Sequence, residues 1–122
     1  MGKSFLIVDD SASMRQLVGF ALREAGHEVI EAVNGKDGLG KASAKKVDLV
    51  VTDLNMPEMN GIDLIKQLRA RPEYKFTPII MLTTESQESK KQEGQAAGAK
   101  AWVVKPFKPD QMLNAVSKLI LP

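Results

Sequence analysis

The sequence predicts an α/β fold, a doubly wound parallel sheet of five strands with helices on both faces. Two patterns in the 122 residues predict it. Short continuous apolar runs rich in Val, Ile and Leu recur along the chain, and such runs are typical of strands buried on both faces. Between the runs, apolar residues recur every three or four positions, which is the period of an amphipathic helix. Strict alternation of the two patterns favours parallel strands joined by helices.

The predicted strands are four apolar runs and one mixed segment. The runs span residues 5–8, 49–51, 79–82 and 101–104. The mixed segment, residues 28–32, contains both polar and apolar side chains, so we expect it at an edge of the sheet.

The predicted helices differ in the strength of their apolar stripes. The first, third and fifth, around residues 14–25, 62–68 and 112–120, have clear stripes. The second, around residues 36–44, is weakened by two internal glycines. The fourth, around residues 87–97, has almost no apolar stripe, and we expect it to be the least firmly packed.

Composition and charge favour a single globular domain, which we expect to span residues 1–122. Hydrophobic residues make up 43% and charged residues 26% of the chain, so its core needs no metal or disulfide. The absence of cysteine excludes a disulfide scaffold, a thiol nucleophile and a thiolate zinc site. The net charge of +2, with interspersed signs, gives nucleic-acid binding no electrostatic support. No apolar run has the length of a signal-peptide core or a transmembrane helix, so we expect no membrane partner.

Acidic, hydroxyl and basic residues stand at the carboxyl ends of four predicted strands. Strand 1 ends at Asp9 and Asp10, strand 3 at Asp53, strand 4 at Thr83 and strand 5 at Lys105. In open α/β sheets, ligands bind beyond these ends, where the strand order reverses. If strands 1 and 3 are neighbours, their ends lie roughly 5 Å apart, and three carboxylates converge on one volume. A proton or a cation must relieve their repulsion.

A hard divalent cation with oxygen ligands, Mg²⁺, suits such a pocket. Magnesium in proteins takes one or two carboxylates, keeps several waters and shares phosphate oxygens. Lys105 adds a point charge, and the Thr83 hydroxyl adds a donor for a phosphoryl oxygen. The combination suits attack by a carboxylate on phosphorus, which forms an aspartyl phosphate.

Taken singly, each of these residues also has a purely structural interpretation. Asp10 or Ser11 could cap the first helix, and Asp53 could form a turn. Thr83 could be an ordinary strand residue, and Lys105 a solvated charge. Their joint placement at successive strand ends favours a functional site.

Four motifs in this chain are similar to those of the receiver domain of bacterial response regulators. They read LIVDDS, VVTDLNMPEMNG, IIMLTTE and WVVKPF, and they occur in the family's order over essentially the whole chain. The resemblance is to the single-domain, CheY-like type found in chemotaxis. It implies a flavodoxin-like sheet with strand order 2-1-3-4-5.

The resemblance also implies the roles of the acidic residues. Asp53 corresponds to the phosphoacceptor. Asp9 and Asp10 correspond to the acidic pair that positions Mg²⁺, with Asp10 the more direct ligand and Asp9 acting largely through water. Asp53 itself and the backbone carbonyl of Asn55 complete the metal ligands.

The remaining roles implied by the family concern the response to phosphorylation. Thr83 corresponds to the switch hydroxyl, and Lys105 to the lysine that pairs with the phosphoryl group. Trp102 occupies the place of a conformational switch aromatic, usually Tyr or Phe, although a core anchor is an alternative role. The bond between Lys105 and Pro106 corresponds to one that is usually cis in the family.

As a member of this family, the chain would be a cytoplasmic signalling protein rather than an enzyme. It would take its phosphoryl group from a CheA-like sensor histidine kinase and signal by protein–protein contact. The expected target is a downstream protein such as the flagellar motor switch, with a phosphatase as a further partner. We expect a monomer. The charged segment SKKQEGQ in helix 4 is either a solvated face or part of a docking surface with strand 5 and helix 5.

Three other functions remain as alternatives. A phosphohydrolase with an aspartyl nucleophile would need a second Asp two residues later as general acid, but this chain has Asn55 there. A flavin-binding module would need a phosphate-cradling loop after strand 1, where Asp9 and Asp10 have the wrong charge. A scaffold that works without phosphorylation stays open. A histidine phosphocarrier is disfavoured because His27, the single histidine, is expected on the surface.

Overall fold

The computed structural model describes residues 2–56, 59–84, 88–105 and 108–119. Strands and helices alternate within them, as predicted. The elements are β1 (Ser4–Val8), α1 (Ala12–Glu24), β2 (Glu28–Ala32), α2 (Gly35–Ala44), β3 (Leu49–Asp53), α3 (Gly61–Arg69), β4 (Ile79–Thr84), α4 (Glu88–Ala97), β5 (Ala101–Lys105) and α5 (Pro109–Leu119). One turn of 3₁₀ helix, Pro72–Tyr74, lies between α3 and β4 and was not predicted.

All strand pairs are parallel, and the order is β2-β1-β3-β4-β5, which confirms the implied topology. The mixed strand β2 lies at an edge, as predicted. The register sets Val8 beside Thr52, Asp53 beside Leu82, and Thr84 beside Lys105. The strand order changes direction here, because β2 lies on one side of β1 and β3 lies on the other, so the residues that follow β1 and β3 face the same volume.

Alternating residues of the strands build one apolar cluster on each face of the sheet. In β1, Leu6 and Val8 join the cluster under α2 and α3, whereas Phe5 and Ile7 join the cluster under α1 and α5. The helices contribute their apolar stripes to the same clusters, for example Leu64 and Leu68 from α3 to the first, and Val18, Leu22, Met112 and Val116 from α1 and α5 to the second. The carboxyl edge of the sheet is thereby held rigidly from both sides.

The prediction that the strand at residues 101–104 is buried on both faces is wrong. Val103 is buried, but Trp102 is half-buried and Val104 is 40% exposed. The reason is position: β5 is the second edge of the sheet, where it has a neighbouring strand on one side only.

Tyr74, in the 3₁₀ turn, is fully buried and ties three segments together. Its hydroxyl donates to the Ala42 carbonyl oxygen at 2.7 Å and lies 3.1 Å from the Lys45 carbonyl oxygen. The same hydroxyl accepts from the Val47 amide at 3.1 Å. It therefore fixes the end of α2 and the entry to β3, the strand that leads to Asp53.

Helix α4 presents few side chains to the core. Among its residues 90–97, only Gly94 is buried, and the others are half-buried or exposed. This agrees with the missing apolar stripe in the sequence. Among the described residues, no helix is both long and apolar enough to cross a bilayer.

Candidate functional site

The residues singled out at the strand ends do converge at the carboxyl edge of the sheet. Asp9 directly follows β1, while Asp53 and Lys105 are the last residues of β3 and β5. Thr83 is the penultimate residue of β4. Because β1, β3, β4 and β5 are consecutive neighbours in the sheet, these side chains surround one small volume.

Asp9 is completely buried and fixed through both its side chain and its backbone. One carboxylate oxygen, Oδ1, accepts from the Ser11 amide at 2.9 Å, and Oδ2 lies 3.3 Å from Lys105 Nζ. Its carbonyl oxygen accepts from the Arg15 guanidinium at 2.6 Å. Asp9 therefore adds a fixed negative charge to the floor of the pocket.

Asp53 is also buried, with 8% of its surface exposed. Its Oδ1 accepts from the Leu54 amide at 3.0 Å and from Lys105 Nζ at 3.1 Å. Burial raises the pKa of Asp53, and the nearby Asp9 charge raises it further, while Lys105 and the Leu54 amide act in the opposite direction. Among the described residues, Oδ2 accepts no hydrogen bond and stays available for chemistry.

Lys105 bridges the two buried acids with one ammonium group. Its side chain is 18% exposed, and its Nζ contacts Asp9 and Asp53 at once. A single positive charge cannot neutralise two carboxylates, so the pocket keeps an excess of negative charge. The sequence interpretation of Lys105 as a merely solvated charge is therefore wrong.

Asp10 supplies a third carboxylate at the mouth of the pocket. It is exposed, and oxygens of Asp9, Asp10 and Asp53 lie within 4.8 Å of one another. Ser11, rather than Asp10, caps α1, because its hydroxyl accepts from the Met14 amide at 3.3 Å. Asp10 is thus left without a capping role. Three oxygen donors at this spacing, with an excess of negative charge and access to solvent, fit a hard divalent cation.

The hydroxyl group of Thr83 is buried but makes no hydrogen bond to the described residues. The residue is 1% exposed, and Oγ1 has no hydrogen-bond partner among the described residues. An unpaired buried hydroxyl costs free energy, and such exceptions in native proteins call for an explanation. Its place at the end of β4, next to β3, puts Thr83 at the same edge of the sheet as the acidic pocket.

Asn55, Trp102 and Pro106 are the remaining site residues of the sequence analysis. Asn55, two residues after Asp53, has an exposed side chain. Trp102 packs against the cluster under α2 and α3, where its ring lies next to Gly94 of α4. Pro106, of the candidate cis bond, lies outside the described residues.

His27 lies at the opposite end of the sheet, just before β2. The prediction of a surface position is wrong in part, because the residue is half-buried and its ring centroid is 4.5 Å from that of Phe5. Its Nδ1 accepts from the Lys3 amide at 3.1 Å. Burial lowers the pKa of His27. The histidine takes no part in the acidic pocket.

Sequence reasoning missed two residues that support the pocket. Arg15 holds the Asp9 carbonyl and lies 3.5 Å from Glu31 of β2, so it links α1, β1 and β2. Nothing in the helical pattern distinguishes Arg15 from other polar positions. Gly61 begins α3 against β3: a β-carbon there would lie 2.4 Å from the Asp53 carbonyl oxygen. The Asn-Gly dipeptide before the helix was the available signal for such a tight approach.

Comparisons with known proteins identify a family for this arrangement. The family model of the response regulator receiver domain matches residues 5–117. The chain is 42% identical over 121 residues to the chemotaxis protein CheY of Thermotoga maritima, with 98% of each chain covered. It is 40% identical to the alkaline phosphatase synthesis transcriptional regulatory protein PhoP of Bacillus subtilis, covering 99% of this chain and 49% of that protein.

Solved structures agree with the sequence comparison. The chemotaxis response regulator CheY4 of Vibrio cholerae superposes with a TM-score of 0.94 at 45% identity, covering 98% of this chain and 100% of that chain. A putative response regulator from Chloroflexus aurantiacus superposes with a TM-score of 0.93 at 33% identity, covering 98% of each chain.

Proposed function

This chain belongs to the response regulator receiver domain family, and we propose that it works as a phosphorylation switch with Asp53 as the phosphoacceptor. The observation that supports this assignment most directly is the placement of Asp53. Its carboxylate is buried, one oxygen is fixed by Leu54 and Lys105, and a second acid lies beside it. A salt bridge with purely structural purpose would not need two acids on one lysine and a third at the mouth.

The proposed reaction transfers a phosphoryl group from a phosphohistidine to Asp53. Oδ2 of Asp53 attacks phosphorus, the P–O bond forms as the P–N bond breaks, and the imidazole nitrogen leaves with the electron pair. The Leu54 amide and Lys105 orient the carboxylate by holding Oδ1. Burial has already removed most of the water around this carboxylate, so the attack loses little further solvation.

We propose Mg²⁺ as the cofactor, held by Asp9, Asp10, Asp53 and the backbone carbonyl of Asn55. When bound, the metal neutralises charge that develops on the phosphoryl oxygens. Lys105 supplies the second positive charge, because it already reaches the acceptor at 3.1 Å. The pocket without the metal would repel a phosphoryl group, so metal binding and phosphorylation are expected to be coupled.

The unpaired hydroxyl of Thr83 is the proposed sensor of phosphorylation. A phosphoryl oxygen on Asp53 would offer Oγ1 the acceptor that it lacks. We propose that Thr83 turns towards this oxygen and that Trp102 moves with it. The response would then reach the surface formed by α4, β5 and α5, where a groove of about 610 Å³ runs between β5 and α5. The protein would signal through contacts made there.

The proposed partners follow from the same relatives. A CheA-like sensor histidine kinase would donate the phosphoryl group, and a target such as the flagellar motor switch would read the altered surface. A phosphatase would shorten the signal. All of these partners are cytoplasmic, so we propose that the protein is cytoplasmic too. We also propose that it is a monomer. The match to PhoP, a transcriptional regulator, makes a target outside motility the competing possibility.

Transfer from a radiolabelled phosphorylated histidine kinase tests the proposal. We expect label on the wild-type chain in the presence of Mg²⁺, loss of label on adding EDTA, and no label on Asp53→Asn. Asp63→Asn is the matched control, because Asp63 is an exposed acid of α3 away from the cluster, and it should accept label normally. Equal labelling of Asp53→Asn and wild type would overturn the assignment of Asp53.

A further inference from the structure

The Trp102 ring of β5 occupies the space that a side chain at Gly94 of α4 would need. A β-carbon at Gly94 would lie 2.6 Å from Cζ3 and 3.1 Å from Cη2 of the Trp102 ring. Atoms joined by no bond do not approach to 2.6 Å, because repulsion rises steeply inside the contact distance of about 3.5–4.0 Å. The outer edge of the indole therefore fills the space that a side chain at position 94 would need. We call this space the Gly94 notch.

The notch matters because α4 has few other contacts with the core. Gly94 is the buried residue among positions 90–97, and the indole covers it. A glycine inside a helix costs about 1 kcal/mol relative to alanine. The contact with Trp102 offsets that cost only while the indole stays in place, so the position of the indole and the packing of α4 depend on each other.

The notch is closed on one side and open on the other. On the inner side, Met81 is fully buried, and its Cε lies 3.6 Å from the position of a β-carbon at Gly94. On the outer side, Trp102 is half-buried, so part of its surface faces solvent. An indole displaced from Gly94 therefore has room to move only outward, away from Met81.

We propose that Gly94 is a positioning residue that holds the Trp102 indole in its resting place and so couples that indole to α4. The absence of a side chain at position 94 admits the indole, and the indole in turn fixes α4 against the sheet. The coupling in the resting protein does not depend on phosphorylation. Its effect on signalling rests on the proposed function, in which Trp102 moves when Asp53 is phosphorylated.

The first experiment uses Gly94→Ala in the full chain without metal or phosphoryl donor. Trp102 is the single tryptophan, so the emission of the protein reports on it alone. We expect a red-shifted emission maximum, stronger quenching by acrylamide, and a Tm lower by about 4 °C. Gly40→Ala is the matched control, because a β-carbon at Gly40 in α2 meets no atom within 4 Å. It should leave the emission unchanged and raise the Tm slightly.

The second experiment repeats Gly94→Ala in a Trp102→Phe background. The shorter phenyl ring lacks the atoms that approach Gly94, so alanine should now be accepted and should raise the Tm, as at Gly40. An equal loss of Tm in both backgrounds would mean that alanine disturbs α4 by another route, and it would overturn the proposal. This comparison remains decisive even if Gly94→Ala folds poorly by itself.

Beryllofluoride with Mg²⁺ separates this inference from the proposed function. We expect a large change in Trp102 emission for the wild type and a smaller one for Gly94→Ala, whose indole has already moved. Equal changes in the two proteins would overturn the positioning role and support the switch. A second outcome is also informative. If Gly94→Ala lowers the Tm only when Trp102 is present, and beryllofluoride leaves the wild-type emission unchanged, the positioning role is supported and the switch is not.

Discussion

At the scale of single residues, Asp53 is an acid whose ionised form is disfavoured by its surroundings. Burial and the charge of Asp9 raise its pKa, and the single ammonium of Lys105 is shared between the two acids. A buried carboxylate with a raised pKa costs stability when it is ionised. The cost is concentrated on the residue that the proposed reaction needs, as is common at functional sites.

We expect Asp53→Asn to be more stable than the wild type at pH 7 in EDTA. The folded protein binds the Asp53 proton more tightly than the unfolded chain does, so the wild type loses stability as the pH rises from the unfolded pKa through the raised folded pKa. The advantage of Asn should therefore shrink as the pH falls through the folded pKa, and it should be lost below about 4, where the carboxyl becomes protonated in the unfolded chain as well. Urea unfolding at a series of pH values measures this difference.

The exposed acid Asp63 provides the contrast for this measurement. It lies in the first turn of α3, where a negative charge is favourable. Asp63→Asn should lower stability by about 0.5 kcal/mol at pH 7. If Asp53→Asn also lowered stability at pH 7, the bridging by Lys105 would outweigh burial and the charge of Asp9.

At the scale of elements, the segments that follow α2 and α3 are held together by buried hydrogen bonds of one side chain. Tyr74 receives and donates hydrogen bonds that join the end of α2, residues 45–47 and the 3₁₀ turn. No strand or helix pattern marks this residue, because its partners are backbone groups about thirty residues away in sequence.

Tyr74→Phe should destabilise the protein by about 1–3 kcal/mol, because it leaves the buried Val47 amide and the Ala42 carbonyl without their partner. Denaturant unfolding with an unchanged m-value is the measurement. Ser43→Ala removes an exposed hydroxyl from the same helix and should change stability by less than about 0.5 kcal/mol. Similar losses for both variants would show that the buried Tyr74 hydroxyl contributes no more to stability than an exposed hydroxyl does.

Helix α4 is expected to open more readily than the centre of the sheet. Its residues 90–97 contribute little buried surface, whereas β1 and β3 are buried along almost their whole length. Local opening is easiest where few buried apolar contacts must break. Hydrogen exchange should show α4 amides exchanging much faster than those of β1 and β3, and equal protection would contradict this prediction.

At the scale of the whole molecule, the acidic pocket links stability to the metal. A ligand that binds only the folded state raises stability by mass action, by about 1.4 kcal/mol at ten times its Kd. We therefore expect Mg²⁺ at that concentration to raise the Tm of the wild type by about 4 °C relative to EDTA. Asp10→Asn should reduce this rise without changing the Tm in EDTA much, because Asp10 is exposed. An equal rise for both proteins would place the metal elsewhere.

The residue patterns were sufficient for the order of the elements and for the identity of the polar residues at the sheet edge, whereas the strand order came from the family resemblance. Alternating periods fixed the element order, and strand-end positions brought Asp9, Asp53 and Lys105 together. The apolar pattern of β5 did not show that the strand is half exposed, because its run resembles that of a central strand. Nor could the residue patterns reveal Arg15, since a contact between a helix side chain and a backbone carbonyl leaves no mark in periodicity.

The residues of the pocket are far apart in the sequence, so they are also synthesised at different times. Lys105 lies 96 positions after Asp9 in the sequence and 52 positions after Asp53. At a synthesis rate of about 5–20 residues per second, Asp9 leaves the ribosome about 5–20 s before the lysine that bridges the two acids, and Asp53 about 3–10 s before it. A nascent chain therefore carries the two carboxylates before it carries the Lys105 ammonium group that bridges them. It can react with a phosphoryl donor as the finished protein does only after the fifth strand has been translated.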